Sequence, residues 1–165
     1  MSDQWDKAYL RQASSDYEVF RQLLSMPVAP CHQLHYLQMA TEKLAKAFLS
    51  ANARGRRQPN KHESLVRFLN SVDAHDTVRR AFGYESKSQQ MAFLRSIMPV
   101  ARAIEAVYPK ALDAPNLEYP WEASGRVLCP RDYPFPDLQL TGRESTPLLR
   151  FTRFVEQCLK TAETW

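Results

Sequence analysis

Glycine is scarce in this chain, at 4 of 165 positions, and runs of β-branched residues are few. That excludes the glycine-rich loops that cradle phosphates, and it favours helices over a fold of strands and tight turns. Cysteine numbers only 3, at Cys31, Cys129 and Cys158, with no C-x-x-C pair. An odd count without paired spacing argues against a disulfide framework and against a structural zinc site; reduced thiols acting as small buried hydrophobes are the expectation. No apolar run approaches the roughly 18–20 residues of a membrane span. The opening MSDQWDKAYL has no basic stretch leading into an apolar one, so no secretory signal is expected. No H-E-x-x-H motif and no Ser-His-Asp spacing is found, and no repeat or low-complexity tract. The expectation is a cytoplasmic protein without metal, cofactor or membrane partner.

What is present is ordinary for a globular protein: 44% hydrophobic and 24% charged residues. The length suits one domain over residues 1–165 with a sizeable core. A net charge of +4 permits an acidic partner without demanding one.

Apolar spacing predicts a series of helices. A first runs from about Gln4 to Ser25, with Trp5, Tyr9, Ala13, Tyr17, Phe20 and Leu24 inward, and Pro27 and Pro30 end it. The stretch Cys31 to Ala53, free of Pro and Gly, carries Leu34, Leu37, Ala40, Leu44, Ala47 or Phe48, and Ala51 at helical spacing. Pro30 sits at its first turn and Gly55 past its end. Six turns are about 33 Å long, enough to span a small domain. The short connection makes the first two helices antiparallel. A third helix is expected over Lys61–Val72, capped by Asn60 with Glu63, and a fourth over Ala74–Phe82, ended by Gly83. A fifth starts at Ser86 or Ser88 and runs to Tyr108, with a kink or break near Ser96–Met98 because Pro99 lies inside it.

Residues 108–143 differ in kind. Six prolines and the rings of Tyr119, Trp121, Tyr133 and Phe135 fall there, too aromatic for a disordered tail. An ordered excursion packed on the bundle is expected, with a small hairpin turning at Ala123–Gly125. A last helix opens with Thr146 and Pro147 and reaches Ala162. The fold class is therefore all-α: an antiparallel, up-and-down bundle of four or more helices, with a Pro- and aromatic-rich loop before the last.

The polar side of the second helix is more specific. Gln38, Glu42 and Lys46 recur every fourth residue, with Lys43 beside them. On a solvated face a Glu-to-Lys pair in this order adds only about 0.2–0.5 kcal/mol. Between helices, an unpaired member costs more, roughly 1–3 kcal/mol. Spacing alone leaves both environments open. Read together, Gln38-Met39-Ala40-Thr41-Glu42-Lys43-Leu44-Ala45-Lys46-Ala47 resembles the Q-x-A-x-E-K-x-x-K-A signature of HEPN domains. His62-Glu63-Ser64-Leu65 follows after a loop, similar to the H-x-x-L segment that opens the next helix in that family. The specific part of the resemblance covers Trp5 to Leu69; beyond it only helical order matches. The resemblance implies a helical bundle, a homodimer, and a role in binding RNA, a nucleotide or a cognate nucleotidyltransferase, often within toxin–antitoxin or defence systems.

Many HEPN proteins are metal-independent ribonucleases with an R-x(4–6)-H motif. A His suits base or acid work because its ordinary pKa is near 6.5, and a guanidinium grips the phosphate through paired hydrogen bonds. Here Arg57 with His62 fits R-x(4)-H, and Arg56 with His62 fits R-x(5)-H. The pair lies after the second helix instead of near a late one, Gln58 and Pro59 follow the Arg, and His62 is already the first residue of H-x-x-L. The nuclease reading therefore ranks second to a binding module, and a purely structural dimer subunit third. For binding, Arg54, Arg56, Arg57 and Lys61 form a basic run beside an expected helix N-terminus, with Lys43 and Lys46 on the signature helix as further cations. A solvated loop is the plain alternative. His32 and His35 lack a third ligand and read as polar or interface residues, not metal ligands. The excursion's rings suit core closure before base stacking, and Glu118, Glu122 and Asp132 are its candidate carboxylates.

Overall fold

A computed structural model describes residues 5–53, 64–72, 75–108, 113–139 and 147–162. Six helices organise them: α1 (Trp5–Leu23), α2 (Pro30–Asn52), α3 (Leu65–Val72), α4 (Asp76–Ala81), α5 (Lys87–Ala106) and α6 (Pro147–Thr161). A two-stranded hairpin, β1 (Trp121–Ala123) and β2 (Arg126–Leu128), and two 3₁₀ turns at Pro130–Asp132 and Pro136–Leu138 make up most of the excursion. The protein is an all-α bundle.

Helices α1 and α2 pack along each other for most of their length. They run antiparallel, since contacts step backwards on one as they step forwards on the other. Gln33 Nε2 donates to the Leu23 carbonyl at 2.9 Å, and further along Lys43 meets Asp16. Against this pair lie α3 and α6, and α5 rests on both of those. Helix α2 is consequently wrapped on several sides, and from Ala40 to Ser50 every residue except Lys43 is buried. Phe20, Phe48, Phe68 and Phe151, one from each of four helices, are fully buried. Phe48 meets Phe68 edge-on at a centroid distance of 4.9 Å.

The helix ends follow local chemistry. Pro30 opens α2, where its missing N–H costs nothing. Ser86 caps α5 by accepting from Gln89 N at 3.2 Å, while the Gln89 side chain accepts from Glu85 N at 2.9 Å. After α4, Gly83 at φ +68° closes the turn, with Tyr84 N donating to the Arg79 carbonyl at 3.1 Å. Ser124 and Gly125, both at positive φ, make the two-residue turn of the hairpin, where Trp121 pairs with Leu128 and Ala123 with Arg126.

Several expectations need correction. The ends of the expected stripe are not inside: Trp5, the first residue of α1, is 43% exposed and Leu24, one residue past its end, 48%, whereas Ala13, Tyr17 and Phe20 are buried. Helix α5 is unbroken through Pro99. Pro99 is exposed, so water can satisfy the carbonyl it leaves free, and buried Leu94, Ile97, Ala101 and Ile104 on the opposite side hold the helix to the core. Helix α3 begins at Leu65, and Glu105 of α5 serves its first turn, its Oε1 accepting from Leu65 N at 2.9 Å and Val66 N at 3.4 Å. The expected Asn60–Glu63 cap and Thr146 lie outside the described residues.

Candidate functional site

The signature residues of α2 form a ladder. Gln38 Nε2 donates to Glu42 Oε2 at 3.2 Å, and Lys46 Nζ donates to Glu42 Oε1 at 2.6 Å. The ladder is inside the protein: the Lys46 side chain is 3% exposed and that of Glu42 10%. One turn of helix separates each member from the next, so the three polar groups align without distortion. Thr41 Oγ1, also buried, donates to the Gln38 carbonyl at 3.0 Å. A Glu–Lys pair this deep has given up its hydration, and only short hydrogen bonds offset that loss.

Lys43 does a different job. Its ammonium donates to Asp16 Oδ2 at 2.6 Å, tying α2 to α1, and Gln12 Nε2 holds the other Asp16 oxygen at 2.9 Å. Asp16 is buried in the inward stripe of α1 between Ala13 and Phe20. Of the two signature cations, then, neither ammonium stands free; a ligand reaching either competes with a carboxylate at 2.6 Å. Sequence reasoning missed Asp16 and Gln12. The signal was an acid in register with an apolar stripe, one turn after Gln12.

Arg54, Arg56, Arg57, Lys61 and His62 lie outside the described residues. Their flanks are described. Ala53 N closes the end of α2 on the carbonyls of Leu49 and Ser50, both at 3.1 Å, and Ser64 O accepts from Phe68 N at 2.9 Å at the start of α3. The basic run therefore connects two helices that pack on each other, and the second starts against Glu105.

The remaining candidates are dispersed. His32 is exposed, and His35 Nδ1 is a buried nitrogen without a hydrogen bond, 3.8 Å from Glu118 Oε1. Among the described residues no three potential metal ligands cluster, and no hydrogen bond or ion pair joins Glu118, Glu122 and Asp132. Trp121 and Phe135 are core residues at 2% and 3% exposure, with Tyr133 edge-on to both at 5.0 and 4.9 Å. Of the four rings only Tyr119, 60% exposed, presents an open surface. Phe135 keeps its place despite a left-handed φ of 43°, which its burial between the other rings offsets.

Burial also sets the titrations. It pushes Tyr17, whose hydroxyl donates to the Thr152 carbonyl at 2.9 Å, up to about 12, with the nearby Glu156 charge adding to the rise. Cys158 and Cys31 are likewise raised, by loss of water around the thiol, so neither is poised as a nucleophile. Comparison with family models, curated proteins and solved structures gives no match to this chain.

Proposed function

We propose that the chain is a HEPN-like binding module, working as a homodimer, that contacts RNA or nucleotide phosphates through Arg54, Arg56, Arg57 and Lys61, in the cytoplasm and in the setting of a toxin–antitoxin or defence pair. A small nucleotidyltransferase is the corresponding protein partner. The observation that carries the reading is the buried Gln38–Glu42–Lys46 ladder. On a solvated face the same spacing would need no further explanation than a helical ion pair. Here the three residues act as one buried unit at the centre of the bundle, and the helix that bears them leads directly into the basic run. The test is anisotropy of a labelled single-stranded RNA in low salt, with wild type beside a chain in which all four cations are Gln. The reading expects saturable binding lost in the variant; equal binding by both would end it.

The second reading, a metal-independent endoribonuclease, is favoured by the Arg57-to-His62 spacing alone. His62 would move the proton of the 2′-hydroxyl or of the leaving oxygen, and Arg57 would hold the phosphate. RNA cleavage in EDTA that disappears in folded Arg57→Ala and His62→Ala chains would establish it. RNA neither bound nor cut would leave a structural dimer subunit.

A further inference from the structure

A trough of about 390 Å³ lies between α3 and α5, and none of the signature residues lines it. Its α5 wall alternates in kind. Met91, Arg95, Met98 and Arg102 recur at intervals of one turn on one side of the helix. Leu69 of α3 and Leu94 complete an apolar floor, and Asn70 stands on the opposite rim. Arg95 and Arg102 are both exposed, and neither has an ion pair or side-chain hydrogen bond among the described residues. Among the described residues no Asp or Glu lines the trough. The nearest acid along the helix, Glu105, accepts from the first-turn amides of α3, Leu65 N and Val66 N. Arg67, one turn before Asn70, adds another exposed guanidinium to the same side of α3, with no ion pair or side-chain hydrogen bond among the described residues. Pro99 contributes too: lacking an N–H, it leaves the Arg95 carbonyl without its usual helical donor, an extra acceptor at the rim.

We propose that this trough docks an acidic amphipathic helical segment of a partner protein. The chemistry selects that occupant. Methionine and leucine floors accept aliphatic side chains and adapt to their shape. Arg95 and Arg102, about two turns and so roughly 10.5 Å apart along α5, match carboxylates seven residues apart on a partner helix. Between those carboxylates, a side chain three or four residues on reaches the floor beside Met98. Guanidiniums bind carboxylates in paired hydrogen bonds, and their charge selects acidic partners over basic ones. A single-stranded nucleic acid fits less well. Its phosphates could use the arginines, but its bases need rings to stack on, and among the described residues no aromatic side chain lines the trough. The inference stands on described residues alone and is independent of the basic run between α2 and α3.

The test uses the full chain as bait for a displayed library of 16-residue peptides. Leu or Met is fixed at positions one, four, eight and eleven, and Glu, Gln and Lys vary elsewhere. The expected result is enrichment of Glu-rich peptides whose affinity falls at least tenfold for Arg95→Glu/Arg102→Glu. Binding should return when the peptide carboxylates are exchanged for lysines. Both arginines are exposed, so the variant should keep the wild-type melting temperature, and a melting curve checks that it does. No enrichment, enrichment of neutral or basic peptides, or affinity unchanged by the charge reversal would overturn the proposal. Loss in the same variant of binding to a labelled oligouridylate, with no peptide enriched, would assign the trough to nucleic acid and equally overturn it.

Discussion

Lys46 meets Glu42 at 2.6 Å where almost no water reaches either side chain, and the stability contribution of the pair follows from that burial. Removing one partner of a buried pair strands the other charge, which costs about 3–5 kcal/mol, whereas replacing both with apolar or neutral groups of like size is often neutral. Lys46→Met and Glu42→Gln should each lower the unfolding free energy by about that amount, and the double variant should recover most of it. Guanidinium unfolding of the four chains gives the coupling energy directly. Single variants within about 0.5 kcal/mol of wild type would mean a wet, surface-like pair.

Tyr17 supplies a pH signature. Its pKa rises from 10.0 in the open chain to about 12 in the fold. A group raised by folding contributes stability that is complete below its unfolded value and is lost as pH climbs through the folded one. Stability should therefore decline between pH 10 and about 12, the window set by Tyr17 and by Tyr84, which is raised to the same extent. Tyr17→Phe should flatten that decline, while costing about 1 kcal/mol at neutral pH for the hydrogen bond to Thr152. An unchanged alkaline slope in the variant would remove Tyr17 from the account. These groups also show what single residues reveal in sequence. The Gln38–Glu42–Lys46 spacing was legible; whether it was wet or buried was not, because burial is decided by neighbours brought in from α1, α3 and α6. Lys43 found its partner 27 residues away, beyond any local rule.

Among the elements, those with local punctuation were read best. Helix α2 was placed within one residue at both ends, from Pro30 and its unbroken periodicity. The hairpin turns at Ser124–Gly125, within the expected Ala123–Gly125, with Ala123 itself in β1. Helix α3 was read too long at its start, because the group that serves its first turn comes from 40 residues further along the chain. That makes a prediction. Glu105→Ala should expose the amides of Leu65 and Val66, speeding their hydrogen exchange, and destabilise the protein by roughly 0.5–2 kcal/mol, as loss of a cap does. Exchange at those two amides unchanged from wild type would show that Glu105 does not hold them. Pro99 does not break α5, because the carbonyl it leaves free lies on the side of the helix that faces water.

At the scale of the whole molecule, the excess of positive charge is unevenly spent. The signature lysines are neutralised within the bundle, by Glu42 and Asp16, and so are unavailable as free charges. The run Arg54, Arg56, Arg57 and Lys61 and, separately, the arginines of the α3–α5 trough are the cations proposed to meet anionic partners. If the basic run is the RNA contact, each of its cations displaces one condensed counterion on binding. The most direct measurement is the salt dependence of affinity for a labelled single-stranded RNA between 50 and 200 mM, spanned by about a fourfold change in salt. Four phosphate contacts predict a slope of log affinity against log salt of about −3, a loss of roughly fifty-fold across that range. A flat dependence, or a slope unchanged when all four cations are replaced by Gln, would contradict the account.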